Sequence, residues 1–88
     1  MEVRRTLRIV NRQGLHARPC HAIVSAALGY RSALRIRSGP REVDGKSIIE
    51  LMTLSAGEGT ELEFWALGAD AEAMMAELER IVASGFGE

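Results

Sequence analysis

His16 lies among neighbours that could make its imidazole a phosphoryl acceptor. Gly14 precedes it, Arg18 and Pro19 follow it, and the alanine-rich stretch after Pro19 is typical of a helix. Because proline is tolerated in the first turn of a helix, this spacing predicts that His16 is at or next to the N-cap. The unpaired N–H groups of that turn, the helix dipole and Arg18 would favour an anion beside a nucleophilic ring nitrogen. The pattern therefore predicts a histidine that accepts a phosphoryl group.

The sequence lacks the parts that would take this group from a nucleotide. It has no glycine-rich phosphate loop, no set of carboxylates for Mg²⁺ and no evident general base near His16. We therefore expect the histidine to accept a phosphoryl group and pass it on. The plainer alternative is a histidine that only caps or decorates the turn.

A metal site is a further hypothesis, since His16, Cys20 and His21 fall within six residues. His16 and Cys20 would share one face of the helix, but His21 points about 100° away from Cys20. No fourth ligand and no closed tetrahedral spacing are present. The metal hypothesis is therefore the weaker one.

Periodicity predicts which elements position these residues. Strands are expected at 3–10, 32–38, 41–43 and 60–67, where apolar and polar residues alternate. Helices are expected at 17–28, 48–54 and 71–83, with Gly29 as a left-handed stop of the first and Asp70 as the cap of the last. Residues 85–88 are expected to fray. The two long helices carry the apolar stripes Cys20, Ile23, Val24 and Ala27, and Ala71, Met74, Met75, Leu78 and Val82.

The predicted order is β-α-β-β-α-β-α. Each strand has one apolar face and each long helix one apolar stripe, so the elements bury these surfaces against one another. The predicted fold class is α+β, an open-faced two-layer sandwich with a four-stranded antiparallel sheet and three helices on one face. With 88 residues, the chain is expected to form a single domain over 1–88.

The charge is nearly balanced in total but unevenly spread. Residues 1–46 hold ten Lys and Arg against three Asp and Glu, and residues 47–88 hold one Arg against nine acidic residues. A basic half could attract an acidic protein or nucleic acid, although no stacking aromatics accompany the basic residues. The alternative is that both halves interleave in space.

One cysteine, no membrane-length apolar run and no signal-peptide core favour a cytoplasmic protein.

Ser47 and Glu50 have the spacing of a capping box at the start of the second helix. Ser47 is expected to accept a hydrogen bond from that helix while Glu50 reaches back. The helix opens with Ile48 and Ile49, which lie about 100° apart and so cannot both be deeply buried. An exposed apolar patch here would mark an interface; the alternative is one core isoleucine and one ordinary surface residue.

The segments 14–19 and 46–54 resemble the two signature regions of the HPr family, the histidine-containing phosphocarriers of the bacterial phosphoenolpyruvate-dependent phosphotransferase system. The resemblance covers nearly the whole chain and implies the fold predicted above. It implies that His16 takes a phosphoryl group on Nδ1 from phosphorylated enzyme I and gives it to an enzyme IIA, with Arg18 contacting the group. It also implies a monomeric carrier that is not an enzyme, with no cofactor, nucleic acid or membrane partner.

The resemblance further implies regulation and docking. Ser47 matches the serine that a dedicated kinase, HPr kinase/phosphorylase, modifies in many Gram-positive relatives. Ile48, Ile49 and Met52 match an exposed apolar patch that docks partners. Regulation at Ser47 is a hypothesis, since the serine alone does not indicate a kinase.

Cys20 and His21 depart from the commonest family pattern and lie close enough to His16 to be candidate partner-binding residues. Cys20 is nevertheless expected on the inward stripe, as a small apolar residue rather than a redox group. His21 either tunes His16 or is simply exposed. The alternative function is a nitrogen-type member of the family that signals by docking partners rather than serving sugar uptake.

Overall fold

Four strands and three helices follow one another in the predicted order in the structure, a computed structural model that describes all of residues 1–88. The elements are β1 (Glu2–Arg8), α1 (Ala17–Ala27), β2 (Ala33–Ser38), β3 (Arg41–Asp44), α2 (Ile48–Met52), β4 (Glu61–Leu67), α3 (Ala71–Ala83) and a 3₁₀ turn (Gly85–Gly87). The strands form one antiparallel sheet in the order β1-β4-β2-β3, which confirms the predicted open-faced α+β sandwich. No helix has both the length and the apolar composition needed to cross a membrane.

One face of the sheet packs against the helices and forms a single apolar core. The alternation along the strands places Leu34, Ile36, Leu62 and Phe64 on that face, where all four are buried. The predicted stripes of α1 and α3 are buried against them, which confirms the helical spacing. α1 contacts both α2 and α3, so the core holds the start of α1 in a fixed place.

The strand order brings the basic first half of the chain against the acidic second half. β4 pairs with β1 on one side and with β2 on the other. Arg8 consequently pairs with Glu61 at 3.5 Å, and Arg37 with Glu63 at 2.8 Å. The basic and acidic halves of the chain therefore interleave in the sheet, which is the second of the two interpretations given above for the uneven charge. Each such exposed pair contributes less than about 1 kcal/mol to stability.

α1 ends without the predicted left-handed glycine. Leu28 keeps right-handed helical angles, and Gly29 does not have a positive φ. The N–H groups of Gly29 and Tyr30 donate to the carbonyl oxygens three residues earlier, at 3.1 Å each. The helix therefore closes by tightening its last turn, which needs no left-handed residue. The prediction for Gly29 is wrong for this reason.

Asp70 is at the N-cap position of α3, but its side chain does not cap that helix. Its carboxylate accepts hydrogen bonds from the backbone N–H groups of Arg31 and Ser32, at 2.9 Å each, and from the Ser32 hydroxyl. The predicted cap is wrong because the loop before β2 supplies these three donors. The Ser32 hydroxyl foremost, with the two backbone donors, lowers the pKa of Asp70 from 3.8 to about 2.

We expect Asp70→Asn to lower the free energy of unfolding at pH 7 and to flatten its dependence on pH below 4. The folded-state pKa of Asp70 is depressed, so its contribution is complete above the unfolded value of 3.8 and is lost as the pH falls through about 2. Urea unfolding from pH 7 to pH 2 measures this difference. Glu58→Gln, at an exposed carboxylate without an ion pair, is the control. An Asp70→Asn curve parallel to that of the wild type would contradict the assignment.

The C-terminal residues are ordered rather than frayed. Gly85–Gly87 form a 3₁₀ turn, Gly85 is buried, and Phe86 packs against the core. Phe86 carries enough apolar surface to hold the segment in place, although its own φ of +60° is in the left-handed region. The prediction of a frayed tail is therefore wrong. The turn directs Glu88 back toward the residues that precede α1.

Candidate functional site

His16 is the N-cap residue of α1, as the position of Pro19 predicted. It has extended backbone angles (φ −82°, ψ −174°), and the helix begins at Ala17. Pro19 is the third helical residue, where the missing N–H has no helical partner to lose. The N–H groups of Ala17 and Arg18 make no hydrogen bond within the chain. Two backbone donors are therefore open at the end of the helix that carries the imidazole.

The turn before His16 is held from two sides. The N–H of Gly14 donates to the carbonyl of Asn11 at 3.2 Å, and the N–H of Leu15 donates to the carbonyl of Ala56 at 2.8 Å. Gly14 has a φ of +69°, and a Cβ at this position would overlap the Ala56 carbonyl oxygen. Only glycine fits here, and Leu15 is buried beside it. The loop after α2 thus fixes the position of His16.

A carboxylate from the C-terminal segment contacts the His16 ring. Glu88 Oε2 lies 2.7 Å from His16 Nε2, while Glu88 Oε1 accepts a hydrogen bond from Asn11 Nδ2 at 2.9 Å. Asn11 is buried, and the same Nδ2 also donates to the carbonyl of Gly14 at 2.8 Å. The His16 side chain keeps 34% of its surface exposed, and its Nδ1 makes no hydrogen bond within the chain.

Asn11 and Glu88 are the site residues that sequence reasoning missed. Asn11 looked like an ordinary turn former, and Glu88 lay in the segment expected to fray. The available signal was Phe86, because a large apolar residue near Glu88 favours a packed segment over a frayed one.

His16 opens into a cleft that two guanidinium groups also line. Arg12 and Arg18 both lie on this cleft with Gln13, and neither arginine makes a hydrogen bond or an ion pair within the chain. Both side chains are exposed. The predicted pairing of a histidine with the free cation Arg18 at a helix N-terminus is therefore present. Arg12 adds a second cation to the cleft, whose lining also includes the carboxylates of Glu58 and Glu88.

The side chains of Cys20 and His21 make no hydrogen bond to the His16 ring. Cys20 is completely buried, and its Sγ lies 3.7 Å from the carbonyl oxygen of Leu15. Burial raises the pKa of the Cys20 thiol, which lowers its reactivity. Its expected place on the inward stripe is confirmed, but its assignment as a partner-binding residue is wrong because none of it reaches the surface.

His21 is exposed, and its Nε2 lies 3.5 Å from the hydroxyl of Ser25 on the next turn of α1. It makes no hydrogen bond to His16. No three His, Cys, Asp or Glu side chains are arranged to hold a metal ion. The residues of the metal hypothesis are therefore not brought together.

Ser47 is the N-cap residue of α2, and its Oγ accepts the N–H of Glu50 at 3.2 Å. This half of the predicted capping box is confirmed. The other half is wrong, since Glu50 Oε1 accepts the N–H of Asp44 at 3.0 Å. The N–H of Ser47 already donates to the carbonyl of Asp44, which leaves nothing for Glu50 to satisfy there. Ser47 itself is half-buried.

The apolar residues of α2 divide between core and surface. Ile49 is 79% exposed and Met52 is 45% exposed, whereas Ile48 is half-buried and packs against the core. We call Ile49 and Met52, with the outer part of Ile48, the α2 patch. The segment that follows α2 is hydrogen-bonded through Ala56 to Leu15, so the loop after the α2 patch contacts the turn that precedes His16.

Similarity to known proteins extends over almost the whole chain. The family described as "PTS HPr component phosphorylation site" matches residues 3–84. The chain is 38% identical to phosphocarrier protein HPr of Treponema pallidum over 84 residues, 96% of each chain. It is 30% identical to phosphocarrier protein NPr of Escherichia coli, covering 100% of this chain and 99% of that protein. The crystal structure of HPr-C-His from Thermoanaerobacter tengcongensis has a TM-score of 0.93 and 32% identity, with 98% of this chain and 97% of that chain covered.

Proposed function

The chain belongs to the HPr family of phosphocarriers of the phosphotransferase system, and we propose that it carries a phosphoryl group on His16 from enzyme I to an enzyme IIA. The observation that supports this most directly is the position of His16. Its ring is one-third exposed at the N-cap of α1, with Nδ1 unbonded and the N–H groups of Ala17 and Arg18 unpaired. A neutral imidazole there can act as a nucleophile toward phosphorus.

The proposed transfer forms one bond and breaks one bond in each direction. The Nδ1 lone pair of His16 attacks the phosphorus on enzyme I, and the bond from phosphorus to the donor breaks with its electron pair staying on the donor. The open N–H groups of Ala17 and Arg18 and the Arg18 guanidinium bind the phosphoryl oxygens as negative charge moves in. The reverse displacement on enzyme IIA returns His16 to its starting state, so the chain acts as a stoichiometric carrier with no turnover reaction of its own.

A phosphorylation assay tests this proposal. The protein is incubated with purified enzyme I and phosphoenolpyruvate, and the label is tested for the acid lability of a phosphohistidine. We expect one acid-labile phosphoryl group per chain, followed by its loss when an enzyme IIA is added. Absence of label with an active enzyme I would overturn the proposal.

We expect Arg18→Ala to slow transfer from enzyme I roughly 10–100-fold, because a hydrogen bond to a charged group contributes about 1.5–3 kcal/mol. Its effect on the free energy of unfolding should stay within about 0.5 kcal/mol, since Arg18 is exposed and unpaired. Rapid-quench measurement of labelled protein gives the rate. Arg31→Ala removes an equal charge from an exposed side chain elsewhere and serves as the control. Equal rates for the two variants would show that Arg18 acts only through net charge.

We propose that the α2 patch, Ile48, Ile49 and Met52, docks the partner proteins and that Ser47 lies at its edge. Exposed apolar side chains on a short helix are typical of an interface. A phosphate on Ser47 would add about −2 charge there and would repel an acidic partner. Docking by His21 remains a weaker proposal, supported only by its exposure.

We expect phosphorylation of Ser47 by an HPr kinase to slow transfer from enzyme I while the fold persists. The phosphate places charge beside the docking residues without disturbing the core. The transfer rate of the phosphorylated protein is compared with that of the unmodified protein, with mass spectrometry to confirm the site. Ser47→Ala, which removes the acceptor and costs about 1 kcal/mol of capping energy, is the control. Unchanged transfer by the phosphorylated protein would contradict a regulatory role.

The second candidate is a nitrogen-type regulatory carrier in which the same relay signals rather than serving sugar uptake. The observation that favours it is the 30% identity to NPr over the full length of this chain. Transfer to a sugar-type or a nitrogen-type enzyme IIA in parallel assays distinguishes the two. In either case we propose a monomeric single domain over residues 1–88 that acts in the cytoplasm without a cofactor.

A further inference from the structure

The hydrogen bond between Glu88 and His16 Nε2 determines whether Nδ1 of the ring carries a hydrogen or a free lone pair. An ionised glutamate is only an acceptor, so a neutral imidazole 2.7 Å from Glu88 Oε2 must place its hydrogen on Nε2. In that tautomer the lone pair lies on Nδ1, which has no partner within the chain. The carboxylate therefore selects the ring nitrogen that is free to react.

We propose that Glu88 is a positioning residue that holds His16 in the Nε2–H tautomer and so leaves Nδ1 as the nucleophile. This inference deepens the proposed function and rests on it. Glu88 itself lies outside the family match, which ends at residue 84. The role is that of a carboxylate which orients a histidine without exchanging a proton with it.

The Glu88 carboxylate is held in place for this role by Asn11 and by the 3₁₀ turn that carries it. Asn11 Nδ2 donates to Glu88 Oε1 at 2.9 Å, and the same group is fixed by the carbonyl of Gly14 at 2.8 Å. The N–H of Glu88 donates to the carbonyl of Gly85 at 3.1 Å, and Phe86 anchors the turn on the core. Oε1 of the carboxylate accepts from Asn11 and Oε2 faces His16 Nε2, so Glu88 makes both contacts at once.

A positive charge develops on the His16 ring during the proposed transfer. When Nδ1 forms its bond to phosphorus and the donor bond breaks, the Nε2 hydrogen stays on the ring. Both ring nitrogens are then substituted, and the imidazole carries a positive charge beside the Glu88 carboxylate. Glu88 balances this charge without receiving the proton.

Nitrogen chemical shifts of the His16 ring test the inference in the absence of any phosphoryl donor. Uniformly ¹⁵N-labelled wild type, Glu88→Ala and Glu2→Ala are compared at a pH where both histidines are neutral. Glu2 is exposed and lies at the end of β1 away from Val10, which comes after the strand and lines the cleft. We expect His16 of the wild type and of Glu2→Ala to show a protonated Nε2 and an unprotonated Nδ1. In Glu88→Ala part of the His16 population should move to the tautomer with the hydrogen on Nδ1.

A second measurement gives the effect on transfer. We expect Glu88→Ala to lower the rate of transfer from enzyme I about tenfold, the lower end for loss of a partner that orients a histidine, while Glu2→Ala stays within about twofold. Amide spectra confirm that each variant is folded. Identical ring shifts in wild type and Glu88→Ala would overturn the inference. A wild type that accepts no phosphoryl group would instead overturn the proposed function and leave the tautomer result intact.

Discussion

Replacing His16 with alanine is expected to reduce acid-labile phosphorylation by enzyme I to background while the chain stays folded. The other candidate nucleophiles are engaged elsewhere, since Cys20 is buried and the His21 ring lies beside Ser25 without a hydrogen bond to His16. The ring is one-third exposed and does not cap α1, so its removal forfeits mainly the hydrogen bond to the Glu88 carboxylate, at most about 1.5–3 kcal/mol. Label incorporation and circular dichroism measure the two effects.

His21→Ala is the matched control, because it removes the second imidazole from the same helix. We expect it to be labelled at the rate of the wild type. Persistent acid-labile label on His16→Ala, or its loss in His21→Ala, would assign the phosphoryl group to a different residue. Loss of the folded spectrum in His16→Ala would show instead that the ring has a structural role.

Gly14→Ala is expected to lower the free energy of unfolding by about 2–4 kcal/mol and to impair transfer as well. An L-residue at φ +69° costs about 1–2 kcal/mol. The added Cβ would also overlap the Ala56 carbonyl and break its hydrogen bond with Leu15, a loss of about 1 kcal/mol or more. Because Leu15 directly precedes His16, the imidazole would shift from the helix end. Urea unfolding and the transfer rate measure the two consequences.

Gly39→Ala separates the two causes. Gly39 has a φ of +58°, similar to that of Gly14, but a Cβ there would meet no atom within 4 Å. We expect it to lose only the conformational part of the stability and to transfer at the wild-type rate. If Gly14→Ala and Gly39→Ala behaved alike, the contact between the two loops would have no role in placing His16.

The repeating features of the fold could be predicted because they depend on local periodicity. Alternation identified Leu62 and Phe64 as buried, and the spacing of Met74 and Leu78 identified the inner face of α3. The N-cap position of His16 followed from the restriction that Pro19 imposes on the helix start. These inferences needed no knowledge of which elements become neighbours.

The polar side chains could not be placed in the same way, since each has several possible partners that only the tertiary structure brings near. Asp70 and Glu50 both lie at helix starts, yet both bind backbone groups of another segment. Asn11 and Glu88 are 77 positions apart, and nothing local indicates that they meet. The reactive turn was visible in the sequence, but the residues that orient its imidazole were not.

The pairing of β1 with β4 has a consequence for how the chain folds. β1 is an edge strand, and its partner in the sheet lies at least 53 positions later. During synthesis, the backbone of β1 stays unpaired until β4 has emerged, and Val3 on its inner face stays uncovered until α3, the helix that packs against β1, follows. Contacts of such long range slow folding, and an unpaired apolar strand can associate with other chains in the meantime. The nascent protein is therefore most exposed to aggregation over the interval in which α1, β2, β3 and α2 already exist but β4 and α3 do not.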